Sequence, residues 1–157
     1  MEKLIKKLYR EGKIKKQKVG FVQIEALLRQ AMSDLEEARK ISHLAGRATY
    51  IMAYMAMLKA GRALLLLKGY IPDDGAQHKT VVEITSAILG DRYRNLTGQF
   101  ESMRRKRNEM TYQAGVLISL SEAQSAFSDA IALVQEILKE VKTQNPQLKL
   151  KLGLNEE

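Results

Sequence analysis

Cysteine and tryptophan are absent from the 157 residues, and proline occurs only twice. Without a thiol there is no disulfide framework, no thiolate metal site and no cysteine nucleophile, so any site must use other groups. The scarcity of proline, with few β-branched runs, leaves long helices uninterrupted. Only two histidines are present, and they are far apart in sequence. With no cysteine to join them, a transition-metal site has little support, and we expect neither a metal nor another cofactor. Also missing are a glycine-rich phosphate loop, a Walker-type string and a GxSxG elbow. The N-terminus is charged and lacks an apolar core with a small-residue cleavage site, so we expect no signal peptide and a cytoplasmic protein.

Hydrophobic residues make up 45% and charged residues 28%, a globular balance that argues against disorder. The length suits one domain with one core, and the expected fold class is all-α. The net charge of +8 invites an anionic partner. Most of it lies in residues 1–18, where eight lysines and arginines face two glutamates. Leu4, Ile5, Leu8 and Tyr9 fall on one side of a short helix there. This basic arm therefore has three options, of which docking on its own domain is favoured over a membrane surface or nucleic acid.

From residue 19 the helical period is sustained to about Gln144. Val22, Leu27, Leu28, Ala31, Leu35, Ala38 and Ile41 recur at threes and fours, predicting a long amphipathic helix that ends near Gly46. The next segment, Ala48 to Leu67, carries only Lys59 and Arg62 as charges. Two charges near its middle, and no second such segment, favour a core helix over a membrane span. A turn-rich loop with Pro72, Asp73, Asp74 and Gly75 follows, then a shorter helix from about His78 to Leu89. Asp91 can cap a fourth long helix running to about Tyr112, and Ser119 or Ser121 can cap a fifth. The reading is one bundle of about five helices over residues 19–144. Residues 145–157 form a tail whose "QLKLKL" alternates like a strand with nothing visible to pair with.

The fourth long helix carries Arg104-Arg105-Lys106-Arg107. Tyr93, Leu96, Phe100, Met103 and Met110 form its apolar stripe, and at about 100° per residue Arg107 falls near the stripe's centre. Arg104 lies about 60° to one side, with Asn108 and Thr111 on that flank and Tyr112 further round. Arg105 and Lys106 read as solvated charges. An arginine on an apolar stripe must find a carboxylate, a cleft or a subunit interface, because burying it unpaired is costly. A structural ion pair and a binding role both remain open for Arg107. His43 reads as a surface residue, and His78 as a loop or capping residue within reach of a cleft.

The string "RRKRNEMTY" resembles the signature helix of HEPN domains, whose motif is Arg, four to six residues, then His, often with Asn directly after the Arg. Arg107-Asn108 followed by Tyr112 has that spacing. The resemblance extends to "KLYREGKIKK", "DLEEARKI", "ALLLLKGY", a His-bearing loop and "SLSEAQSAFSDAIALV", and so covers nearly the whole chain. It implies an up-down helical bundle that pairs as a symmetric homodimer, with two motif helices beside a shared cleft. Many members are metal-independent endoribonucleases, often toxins or defence effectors, while others bind nucleotides or partners without catalysis.

By that resemblance Arg107, Asn108 and Tyr112 are the candidate catalytic residues, and Arg104, Thr111 and His78 the candidate substrate-binding residues. In metal-free cleavage the ribose 2′-hydroxyl attacks the adjacent phosphate, and Arg107 would hold that phosphate and stabilise its developing charge. Tyr112 stands where catalytic members have His. A phenol, with an ordinary pKa of about 10, is a poor general base at neutral pH, though it can donate a hydrogen bond or stack on a base. Two readings follow: an RNA-directed protein, either a ribonuclease or a weakened relative, and a non-catalytic nucleotide-binding or interaction module with an antitoxin-type partner.

Overall fold

The computed structural model describes residues 1–73 and 77–150. In chain order these form α1 (Glu2–Arg10), β1 (Ile14–Lys16), α2 (Phe21–Ile41), α3 (Gly46–Leu67), β2 (Tyr70–Pro72), α4 (Gln77–Leu89), a single 3-10 turn (Asp91–Tyr93), α5 (Arg94–Tyr112) and α6 (Leu120–Gln144). The fold is all-α, and α2 to α6 are the five helices expected from the pattern. Asp74 and Gly75 of the expected loop, and residues 151–157 of the tail, lie outside the described residues.

Helix α3 is the axis of the bundle. It is apolar nearly all round, so it buries every side: α2 and α6 flank it, and α4 and α5 close the remaining face. Tyr54, Met57, Leu58, Leu64 and Leu65 are fully buried on it, each stabilising the fold by roughly 1.5–3 kcal/mol relative to exposure. By length and composition α3 is apolar enough to cross a membrane, but most of its surface is covered by the other helices. That is the packing of a core helix. Gly61 sets how closely α4 approaches, because a Cβ there would lie 2.6 Å from Val81 Cγ1 and 2.9 Å from Thr85 Oγ1.

The basic arm docks on the bundle. Leu8 is buried on α1, with Leu4 and Ile5 packed against the core. The chain then adds a feature not expected from its sequence, an antiparallel ribbon pairing Ile14 with Pro72 and Lys16 with Tyr70. Three-residue strands are too short to show a period of two, and the ribbon exists because Ile14 is buried against the bundle while the backbone beyond α3 offers it a partner.

Two local expectations are corrected. Asp91 does not cap α5. It opens the 3-10 turn and accepts from the Arg94 guanidinium at 2.8 Å, while Tyr93 is the N-cap without a side-chain bond. The tail, expected to be loose or an interaction segment, packs in its first part on the bundle, with Leu148 and Leu150 buried in the core. At α6 the cap is as expected: Ser119 accepts from the Glu122 backbone N–H at 3.0 Å.

Candidate functional site

Helix α5 presents the motif residues along one side, and the structure divides them. Phe100, Met103 and Met110 are buried, which anchors the helix and turns Arg104 and Arg107 toward α3 and α4, both half-buried. Asn108 and Thr111 are exposed, and Tyr112, at the last position of α5, is 79% exposed. The Thr111 hydroxyl donates to the Arg107 carbonyl at 3.0 Å, so its proton serves the helix.

The two inward arginines differ in pairing. Arg104 donates to both carboxylate oxygens of Glu101, at 2.9 and 2.7 Å, in a fork held within one helical turn. That bond pulls Glu101 below the ordinary carboxylate range and raises Arg104. Arg107 has no carboxylate partner among the described residues. Among the described residues the structural ion pair that its position on the stripe allowed is not present, and Arg107 faces the α3–α4 side. Of the rest of the basic run, Arg105 is mostly exposed beside Glu101, and Lys106 turns the other way to Glu122 on α6 at 3.5 Å.

Across from Arg107 stand Tyr54 of α3 and His78 of α4. The Tyr54 hydroxyl and His78 Nδ1 are 2.9 Å apart, and the two rings are tilted at 34° with centroids 5.8 Å apart. Burial, then the charges of Arg107, Arg62 and Arg104, hold the His78 imidazole below its ordinary range. Burial likewise pushes the Tyr54 phenol up, against the opposing pull of Arg104, Arg107 and Arg62. Two rings on two helices thus lie in the field of the same three guanidinium groups.

Arg62 was not among the expected site residues. It projects from the apolar core helix toward α4, where Nη2 donates to Gln77 Oε1 at 3.2 Å, and its Nε is buried with no hydrogen-bond partner among the described residues. Its neighbour in sequence, Lys59, points the other way and donates to Asp34 of α2 at 2.7 Å. The signal for Arg62 was present in the sequence: a charge in an otherwise apolar helix, eight positions after Tyr54 and so near the same face. Tyr54 itself could be found only by knowing which helix carries His78.

A concave region lies on the far side of α5. This groove of about 550 Å³ between α5 and α6 is lined by Gln99, Ser102, Lys106, Ser125 and Asp129, with Tyr50 at its floor. Burial raises Asp129 and pushes Tyr50 up to about 12. None of the six expected site residues lines it. The arginine focus is formed by α3, α4 and α5 instead.

A search among curated proteins gives no match. The family model for the HEPN domain matches residues 24–144, from the first turn of α2 to the last residue of α6, leaving α1 and β1 outside the matched region. The match contains the Arg107-Asn108 pair and every helix that faces it, and HEPN domains are helical modules directed generally at nucleotides or RNA. The chain therefore belongs to the HEPN domain family.

Proposed function

We propose that the protein binds RNA through the α3–α4–α5 face, with Arg107 as the phosphate contact. One observation carries the reading: Arg107 is half-buried, directed at the face that holds Tyr54 and His78, and has no carboxylate partner among the described residues. A guanidinium in that setting is stabilised most by an anion from outside, and its planar fork suits two phosphate oxygens. Arg104, clamped by Glu101, braces the approach. Asn108 and Tyr112, exposed beyond Arg107, would meet the sugar and a base, Tyr112 by stacking. The lysines of α1 add a sequence-independent attraction.

In this reading Arg107, Asn108 and Tyr112 act at a scissile phosphodiester, and cleavage is weak or absent because the phenol at 112 is a poor base. Single-stranded RNA should bind with an affinity that falls steeply with salt. Arg107→Ala should weaken it at least tenfold and lower the salt slope by about one. Any cleavage should persist in EDTA and rise in Tyr112→His. If RNA does not bind at low salt and Arg107→Ala changes only self-association, the reading is wrong.

The exposed apolar residues favour a second reading. Tyr112, Leu117, Leu120 and Leu44 are all exposed, and Gly46 lies against the backbone just before Leu120, which gathers the turn after α2, the start of α3 and the loop before α6 at one end of the bundle. We infer that this end is a protein-facing surface, occupied by a second copy in a twofold homodimer or by an antitoxin-type partner. Light scattering across a concentration series distinguishes the homodimer from a monomer that awaits a different chain.

A further inference from the structure

Resting on the phosphate-binding reading above, we propose that Arg62, Arg107 and His78 form a subsite for a terminal phosphate monoester, with Tyr54 positioning His78. The proposal extends the site to α3 and α4 and names the chemical group it takes.

The first argument is charge. Arg104 is paired with Glu101, but among the described residues Arg62 bonds the neutral Gln77 amide and Arg107 has no carboxylate partner. Two paired charges would leave nothing to explain, whereas two half-buried guanidinium groups with no carboxylate partner among the described residues carry a desolvation cost that a bound anion would offset. A phosphodiester, with one negative charge, would leave one of them unmatched. A phosphate monoester carries about −1.5 to −2 at neutral pH and matches both.

Convergence is the second argument. A path for successive phosphodiesters spreads its cations along a line, but here Arg62 bonds Gln77, the residue next to His78, at 3.2 Å, and half-buried Arg107 faces the same α3–α4 side as the Tyr54–His78 pair. Arg62 also has a buried, unpaired Nε. A bound phosphate oxygen can supply the acceptor this N–H lacks.

His78 completes the arrangement as a neutral donor. The buried Tyr54 hydroxyl lies 2.9 Å from Nδ1, and the subsite uses the tautomer in which that hydroxyl donates and the ring proton sits on Nε2. An Nε2–H can bond a phosphate oxygen without adding a third positive charge. Replacing Tyr54 with Phe would free Nδ1 to carry the proton instead, so Tyr54 acts through His78 and does not itself touch the ligand.

The subsite can be tested by calorimetry on the full chain with three probes: an RNA hexamer bearing a 5′-phosphate, the same hexamer with a 5′-hydroxyl, and adenosine 5′-monophosphate. The 5′-phosphorylated hexamer should bind about tenfold tighter than its hydroxyl counterpart. Arg62→Gln should erase that preference, Arg62→Lys should restore part of it, and Tyr54→Phe should reduce it without unfolding the chain. Binding of the mononucleotide without either hexamer would support the subsite and overturn the RNA reading. Equal affinity for the two hexamers in the unaltered protein would overturn the subsite and leave the RNA reading standing. If none of the three binds at low salt, both fail.

Discussion

Lys59 and Arg62 are one turn apart on the same apolar helix, and the protein treats them in opposite ways. Lys59 turns to α2 and meets Asp34 at 2.7 Å, forming a pair whose side chains are 25% and 18% exposed. Arg62 turns to α4 and, among the described residues, meets a neutral amide and leaves its Nε buried and unpaired. One side of α3 is finished by the protein's own groups. The other is left with charge to be matched by something else, which is how a binding site differs physically from a structural ion pair: stability is given up locally to pre-organise a ligand's partners.

The sharpest way to break the contrast is to remove the finished side. Asp34→Ala leaves Lys59 charged and mostly buried, and should lower stability by about 3 kcal/mol, the low end for a broken buried pair because both groups keep some water. Thermal unfolding followed by circular dichroism measures it. A loss below about 1 kcal/mol would show that Lys59 reaches solvent freely and that the two sides of α3 do not differ as argued.

Next in size is Gly61→Ala, between the two cations. The new Cβ must displace Val81 and Thr85 on α4, an overpacking cost of about 1–3 kcal/mol offset by about 1 kcal/mol of helix propensity. The expected net loss is about 1 kcal/mol or slightly more. Because α4 carries His78, the variant should also weaken phosphate binding more than its stability loss explains. Normal binding in a destabilised variant would separate α4 from the site.

On the unfinished side the sign reverses. Arg62→Met keeps the length of the stem and removes an uncompensated guanidinium, so it should leave stability unchanged or raise it by about 1 kcal/mol while weakening anion binding. Chemical denaturation gives the sign. Destabilisation comparable to Asp34→Ala would mean that Arg62 is a structural residue.

The smallest effect concerns pH. His78 is held below its ordinary range by burial and by Arg107, Arg62 and Arg104, with Tyr54 on its Nδ1, so the native state binds fewer protons than the unfolded chain in mild acid. Stability should therefore decline as pH drops through about 6.5, and His78→Gln should flatten that part of the curve. An unchanged slope in the variant would assign the acid sensitivity elsewhere.

Helix spacing alone made the inward direction of Arg107 legible, because a cation in the middle of an apolar stripe has to face the core side. It could not say what Arg107 would meet. A carboxylate and a cleft were both consistent with the stripe, since the opposing residues come from α3 and α4, over twenty positions away in sequence. Arg62 was visible only as a charge weighing against a membrane span, and its significance appeared once Lys59 and not Arg62 was found to have the carboxylate. The ribbon escaped notice for a different reason: six residues in two pieces carry no period, and only Ile14 seeking burial against the bundle brings them together.

What the sequence determined by itself was the set of helices, their apolar faces, a serine cap at the start of the last helix and the HEPN-type motif on the fourth long helix, all of which depend on residues within a few turns of one another. The tertiary structure decided which charges are satisfied. Asp34 of α2 reaches Lys59 of α3, and no carboxylate among the described residues reaches Arg107. Pairing of a buried charge depends on distances of a few ångströms between groups on different helices, and those distances are set by how closely α2, α4 and α5 pack around α3, not by the spacing along any one of them.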